Sequence, residues 1–115
     1  MTTTDTPALG RLTRRAEFLS CSKAPWRARP TLVVQMRDRG DEGPARLGIT
    51  ASKKVGNAVA RNRAKRRLRA LARDCLAPHA RPGHDYVLVA RPATPDCDWA
   101  SLQSDLGKAL SILHR

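Results

Sequence analysis

Apolar residues along the chain switch between a helical rhythm and short β-branched runs, and the switches predict the elements. Over residues 11–21, Leu12, Ala16 and Leu19, with Phe18 beside them, fall near helical spacing and predict a short first helix. The stretch "KAPWRARP" that follows carries two prolines and reads as a loop. "TLVVQM", residues 31–36, is apolar and β-branched and predicts a strand; "ARLGITA", residues 45–51, predicts a second. Gly40 and Gly43 lie in the turn-rich stretch between these strands, which predicts a hairpin. Asn57 then suits the N-cap of a helix over residues 58–76, which Pro78 stops. "DYVLVAR", residues 85–91, is a near-continuous apolar strand of the kind buried on both faces. Trp99, Leu102, Leu106, Leu110 and Leu113 recur at three and four, predicting a final amphipathic helix that starts near Asp96 or Asp98. Residues 1–10 are expected to be a disordered leader and residues 11–115 a single α+β domain. The element order is a helix, two or three strands, the central helix, a strand and a last helix, in its fullest form α-β-β-β-α-β-α, a small two-layer sandwich with strands before and after the central helix.

That central helix has two unlike faces. At about 100° per residue, Ala60, Ala64, Leu68, Leu71, Ala72 and Cys75 gather into one core-facing stripe. Nearly opposite lie Asn62, Arg66, Arg69 and Arg73, with Lys65 beside them and Arg61, Arg63 and Arg67 on the flanks. Between Glu42 and Asp74 there is no acidic residue. A solvated helix face normally mixes signs, because each i,i+4 ion pair contributes about 0.2 to 0.5 kcal/mol and like charges cost a similar amount. A one-sign ridge therefore points to a polyanion that binds it, and arginine supplies the planar fork that suits phosphate. Asn62 adds donors and an acceptor for sugar or base edges, where arginine only donates. Lys53, Lys54 and Gly56 precede the helix N-terminus, itself a favourable place for phosphate.

The whole composition agrees with that face. The 115 residues carry 22 Lys and Arg against 10 Asp and Glu, a net charge of +12, which implies a polyanionic partner, either nucleic acid or an anionic membrane surface. No apolar run reaches the ~18 residues of a membrane span, and the first residues lack the regions of a secretory signal, so a cytoplasmic protein without a membrane partner is expected. Cys21, Cys75 and Cys97 have neither disulfide nor zinc spacing and read as reduced thiols, Cys75 as a core residue. His79, His84 and His114 stand near no nucleophile or carboxylate at a catalytic spacing, which argues against an autonomous hydrolase. A helix-turn-helix regulator is disfavoured because no short turn-linked helix precedes the basic one. Composition alone leaves a basic structural RNA-binding protein of ribosomal type open.

"RLGITASKKVGNAVARNRAKRRLR", residues 46–69, resembles the signature region of the protein subunit of bacterial ribonuclease P, an R-N-R-x-x-K-R or R-N-R-x-K-R type helix after a strand and an S-K-K loop. "RLTRRAEF" near the start and "DYVLVARP" are similar to the family's opening and last strand, so the resemblance covers most of residues 11–92. It implies a fold like domain two of ribosomal protein S5, with the basic helix in a left-handed βαβ crossover where pattern alone would predict the common right-handed one. It also implies an activity: the protein supports endonucleolytic removal of the 5′ leader from precursor tRNA, with hydrolysis performed by the catalytic RNA and its magnesium and not by protein side chains. The implied partners are that RNA and precursor tRNA, with no obligate protein partner. The implied RNA-binding residues are Lys53, Lys54, Arg61, Asn62, Arg63, Lys65, Arg66 and Arg69. Phe18 matches the aromatic residue that borders the leader cleft in that family, although by spacing it reads equally as core, and Val34 and Thr50 are further cleft candidates. Aromatic residues make up only 3% of the chain, so base stacking is a smaller part of leader binding than the family pattern implies.

Overall fold

The computed structural model describes residues 9–115. In chain order its elements are β1 (Gly10–Arg11), α1 (Arg15–Ser22), β2 (Trp26–Ala28), β3 (Leu32–Asp38), β4 (Arg46–Thr50), α2 (Ala58–Leu71), β5 (His84–Ala90) and α3 (Trp99–Leu113). The strands form one sheet in the order β1-β4-β5-β3-β2. β4 runs parallel to β5 and to β1, while β3 is antiparallel to β5 and β2. The fold is the α+β sandwich expected of the S5-like class, with α2 as the crossover between parallel neighbours β4 and β5.

Each face of the sheet buries a different set of residues. Leu32, Val34, Leu88, Leu68, Leu71, Leu102 and Leu106 are all 0% exposed and fill the layer between the sheet and helices α2 and α3. On the other face Leu12, Cys21 and Val87 form a smaller cluster under α1, with Phe18 and Val89 packed against it. β5 is central and covered on both sides, which explains its unbroken apolar run.

Several expectations need correction. β3 and β4 do not form a hairpin: β5 lies between them, so Gly40 and Gly43 belong to a connection that crosses the sheet end. The proline-bounded loop contains β2, a short edge strand whose flanking Pro25 and Pro30 limit its length. The first helix begins at Arg15 and not at residue 11, because Gly10 and Arg11 pair with β4 as β1 and Glu17 accepts the amides of Thr13 and Arg14 to start the helix. Leu9 packs on the core and Gly10 is in a strand, so these two are not part of a disordered leader; the remainder of that expectation, residues 1–8, lies outside the described residues. The central helix is α-helical to Leu71 and continues as a π-turn, Ala72–Leu76, before Pro78. Cys75 is half-buried at the core margin, and Cys21 is the thiol that is fully enclosed, its pKa pushed up to about 11 chiefly by burial.

Candidate nucleic-acid interface

Asn57 starts α2 as expected: its side-chain oxygen accepts the amide of Ala60 at 2.9 Å, and its carbonyl accepts Arg61. Gly56 before it has φ of 144°, a conformation side-chain-bearing residues avoid, and an added Cβ would also crowd Ala60 at 3.0 Å. Lys53 and Lys54 sit in a short 3-10 turn immediately upstream, both exposed, with Ser52 accepting the Lys54 amide.

Ala64, Leu68 and Leu71 are 0% exposed, so the helix is held by its apolar stripe. Asn62, Arg66, Arg69 and Arg73 point to solvent on the far side, as the periodicity predicted. Arg63 is exposed as well, and its 3.7 Å approach to Asp96, itself 81% exposed, is a surface pair of little energetic weight. Arg61 is half-buried and its Nε is enclosed without a hydrogen-bond partner, an unsatisfied donor on a cationic group. Arg67, which the helical projection puts on the flank of the ridge, is turned inward: its guanidinium donates to the carbonyls of Thr94 and Cys97 and lies 5.9 Å from the Trp99 ring centroid. It ties α2 to the loop before α3 and is not part of the ridge.

The ridge meets a groove. β1 pairs with Arg46 and Leu47, and among the described residues the rest of β4 has an open edge. Across that edge α1 and α2 face each other over a groove of about 580 Å³ lined by Arg11, Phe18, Gly48, Ile49, Lys65 and Arg69, together with Leu12 and Leu47. Among the described residues the groove combines an apolar floor, one aromatic ring and three cations, with no acid lining it. Phe18 owes its position to Gly48: a Cβ built there would stand 2.5 Å from the ring's Cε1, so only glycine lets the ring lie on the strand. Gly48 is a residue that sequence reasoning passed over; a glycine inside an otherwise apolar strand was the available signal.

A buried ionic chain fixes α1 above this floor. The fully buried carboxylate of Asp85 accepts Nε and Nη2 of Arg46 at 2.8 and 2.9 Å, and Arg39 donates to it as well. Arg46 also reaches Glu17 on α1. Burial alone would raise the Asp85 carboxyl, but the hydrogen bonds from Arg46 and Arg39 outweigh it and hold the group below the usual carboxylate range. Backbone amides of Arg14 and Thr13 lower Glu17 in the same sense. A second buried carboxylate, Asp105 on α3, accepts the amide and hydroxyl of Thr31 at 3.1 and 2.7 Å and Arg29 Nε at 3.4 Å. Burial opposes its ionisation and the Thr31 bonds prevail, keeping it low.

The cleft candidates separate by strand parity. Thr50 lies on the α1 face in a cross-strand row with Val89, Val33 and Ala28, a strip that is half-exposed to exposed and borders Phe18. Val34 is 0% exposed on the opposite face, paired with Leu88 in the main core, so it is not a cleft residue. The thiols and histidines form no site: among the described residues no three His, Cys, Asp or Glu side chains are placed to hold a metal ion. His114 instead hydrogen-bonds the Tyr86 hydroxyl at 2.7 Å, and its burial lowers its pKa. Among the described residues no helix is long and apolar enough to cross a membrane.

Comparison with known proteins gives one consistent result. Residues 7–114 match the family model described as Ribonuclease P. The chain is 52% identical over 104 residues to the ribonuclease P protein component of Caulobacter vibrioides, covering 90% of this chain and 70% of that one. It is 48% identical over 106 residues to the ribonuclease P protein component of Ruegeria pomeroyi, covering 90% and 85%. Among solved structures, the RNase P protein of Staphylococcus aureus superposes with a TM-score of 0.74 at 29% identity, covering 92% of this chain and 96% of that one. The RNase P protein of Thermotoga maritima gives 0.69 at 27% identity, covering 85% and 92%.

Proposed function

Since this chain belongs to the bacterial ribonuclease P protein family, and is thus a protein subunit of that tRNA-processing holoenzyme with an RNA partner, we propose that its two adjoining surfaces divide the RNA between them. The α2 ridge, with Lys53 and Lys54 before it, binds the catalytic RNA, and the groove between α1 and α2 takes the single-stranded 5′ leader of precursor tRNA. The observation that carries this reading is the placement of Arg66 and Arg69, exposed and of one sign, with the exposed amide of Asn62 beside them, over side chains that are fully buried, next to a groove holding Phe18 and Lys65. Phosphates are met by guanidinium and ammonium groups, while the Phe18 ring and the half-exposed strip through Thr50 offer apolar contact to bases.

Hydrolysis is assigned to the RNA. The buried carboxylates Asp85 and Asp105 are each committed to arginine or threonine donors, so neither stands ready as a general base or a metal ligand. Among the described residues no group of His, Cys, Asp or Glu is placed to hold a metal ion, which supports assigning magnesium mainly to the RNA. The protein's part is to bind and orient, in the cytoplasm and without an obligate protein partner.

The test is a cleavage assay on precursor tRNA. Protein alone is expected to cleave nothing; with a bacterial ribonuclease P RNA and magnesium it should restore 5′ maturation at near-physiological salt. Cleavage by the RNA-free protein would overturn the assignment. Tight binding to the RNA with no gain in cleavage would leave a structural RNA-binding role in its place.

A further inference from the structure

Gly48, Val87, Gln35 and Trp26 are consecutive cross-strand partners from β4 through β5 and β3 to β2. Direct partners present their side chains on the same face of a sheet, so this row belongs to the α1 face. One end of it is Gly48, under the Phe18 ring. The other end is Trp26, on the edge strand and 53% exposed. Three inter-strand spacings of about 4.8 Å separate the two ends, roughly 14 Å. The row beside it, Thr50–Val89–Val33–Ala28, leads from the Phe18 groove to the same edge strand without being fully covered.

An indole exposed on an edge strand is an odd economy unless something covers it. Pairing with another strand is discouraged there by Pro25, Pro30 and the charged Arg27. Among the described residues no aromatic ring or cation stacks on Trp26; the one cation–π contact involves Trp99. Trp26 instead lines a shallow hollow with Lys23 and Arg27, both exposed, and no acid among the described residues lines it. An exposed aromatic ring sharing a hollow with Lys23, and with Arg27 beside it at the strand edge on the other face, has the composition of a stacking platform for single-stranded nucleic acid, where the ring takes a base and the cations take its phosphates.

We infer that Trp26, with Lys23 and Arg27, is a second base-stacking position for single-stranded RNA, receiving the leader of precursor tRNA after it has crossed the sheet from the Phe18 groove. The inference rests on the leader reading given above. It also accounts for how a chain with so few aromatic residues holds a flexible strand: the two rings stand at opposite ends of one row, so a leader is gripped twice with the half-exposed strip through Thr50 and Val33 between.

Holoenzyme reconstituted with a bacterial ribonuclease P RNA provides the test, using one precursor with a long leader and one trimmed to a single leader nucleotide. Trp26→Ala should weaken binding of the long-leader precursor about ten-fold, the size of one base–aromatic stack, and leave the trimmed precursor unchanged. Trp26→Phe should keep most of the affinity. In a Trp99→Phe background, the emission of Trp26 should be quenched by the long-leader precursor and not by the trimmed one. Unchanged affinity of Trp26→Ala for the long leader, while Phe18→Ala weakens it, would overturn this inference and leave the leader reading intact. Equal losses on both precursors would also overturn it, since they would mark a structural role. If wild-type holoenzyme itself binds both precursors equally, the leader reading fails and this inference with it. A Trp26 emission shift on anionic phosphatidylserine vesicles, without one on the long leader, would assign the indole to a membrane surface instead.

Discussion

Arg66, Arg67 and Arg69 are neighbours in sequence with different fates. Arg67 satisfies the carbonyls of Thr94 and Cys97, so Arg67→Ala should strand those acceptors and cost about 1 to 3 kcal/mol. Arg66→Ala and Arg69→Ala should stay within about 0.5 kcal/mol of the parent, as surface changes do, or gain slightly from relieved repulsion. Urea titrations of the three single variants, run beside RNA-binding titrations, separate the roles: affinity should fall for Arg66→Ala and Arg69→Ala at unchanged stability. Loss of stability in that pair would mean that the helix is turned otherwise. A further residue-scale expectation concerns Gly48→Ala, whose new methyl must displace Phe18; leader-dependent affinity should drop while binding to the catalytic RNA alone is preserved. The exposed members of the ridge were legible because helical periodicity places them relative to Leu68. Arg67 was not, because its partners lie about 30 residues downstream in a loop. Val34 was misplaced for a related reason: Val33 and Val34 are equally apolar, and a run without alternation does not say which face is which.

Among the elements, α2 depends on its stripe and α1 on its ionic chain. Leu68→Ala removes a side chain with no exposure and should cost about 2 to 5 kcal/mol, with activity falling only as the protein unfolds. Asp85→Asn leaves Arg39 and Arg46 without their shared counter-charge, sets a donor amide against one guanidinium, and should cost about 3 to 5 kcal/mol. Because the folded Asp85 carboxyl titrates below its unfolded value, its contribution is complete above about pH 4 and is lost as pH falls through the lower folded value. Thermal melts should therefore show a midpoint that declines below about pH 4, the decline being shallower in the Asp85→Asn protein but not abolished, since Glu17 and Asp105 are also held low. An identical acid response in both proteins would put the sensitivity elsewhere. Period-three-and-four spacing made α2 and α3 legible. The length of α1, β1 and the Asp85 chain were not, since they depend on pairs such as Arg46 with Glu17 and Asp85, far apart in sequence.

For the molecule as a whole, the sheet keeps two concerns apart: one face packs the large core with α2 and α3, and the other holds Phe18 and Trp26 under and beside α1. If the ridge and the Lys53 and Lys54 turn together contact about six phosphates, log K for RNA should fall against log salt with a slope of roughly −4 to −5. Replacing Arg66 and Arg69 together should flatten that slope by one to two units; an unchanged slope would mean solvated arginines. The sheet order could not be read from the sequence, since strands predicted in succession invite a hairpin, and only tertiary packing places β5 between β3 and β4. That insertion governs the order of events during synthesis. The strand that completes the floor under α2 is made after α2 itself, and a 14-residue helix crowded with like charges is marginal without its floor. A nascent chain that has not yet released residues 84–90 thus carries the arginine-rich segment as a loose polycation, able to attract any RNA through charge but unable to present a fixed ridge. Selectivity for the proper RNA arrives late, with the last strand, and a chain arrested before it should bind RNA indiscriminately.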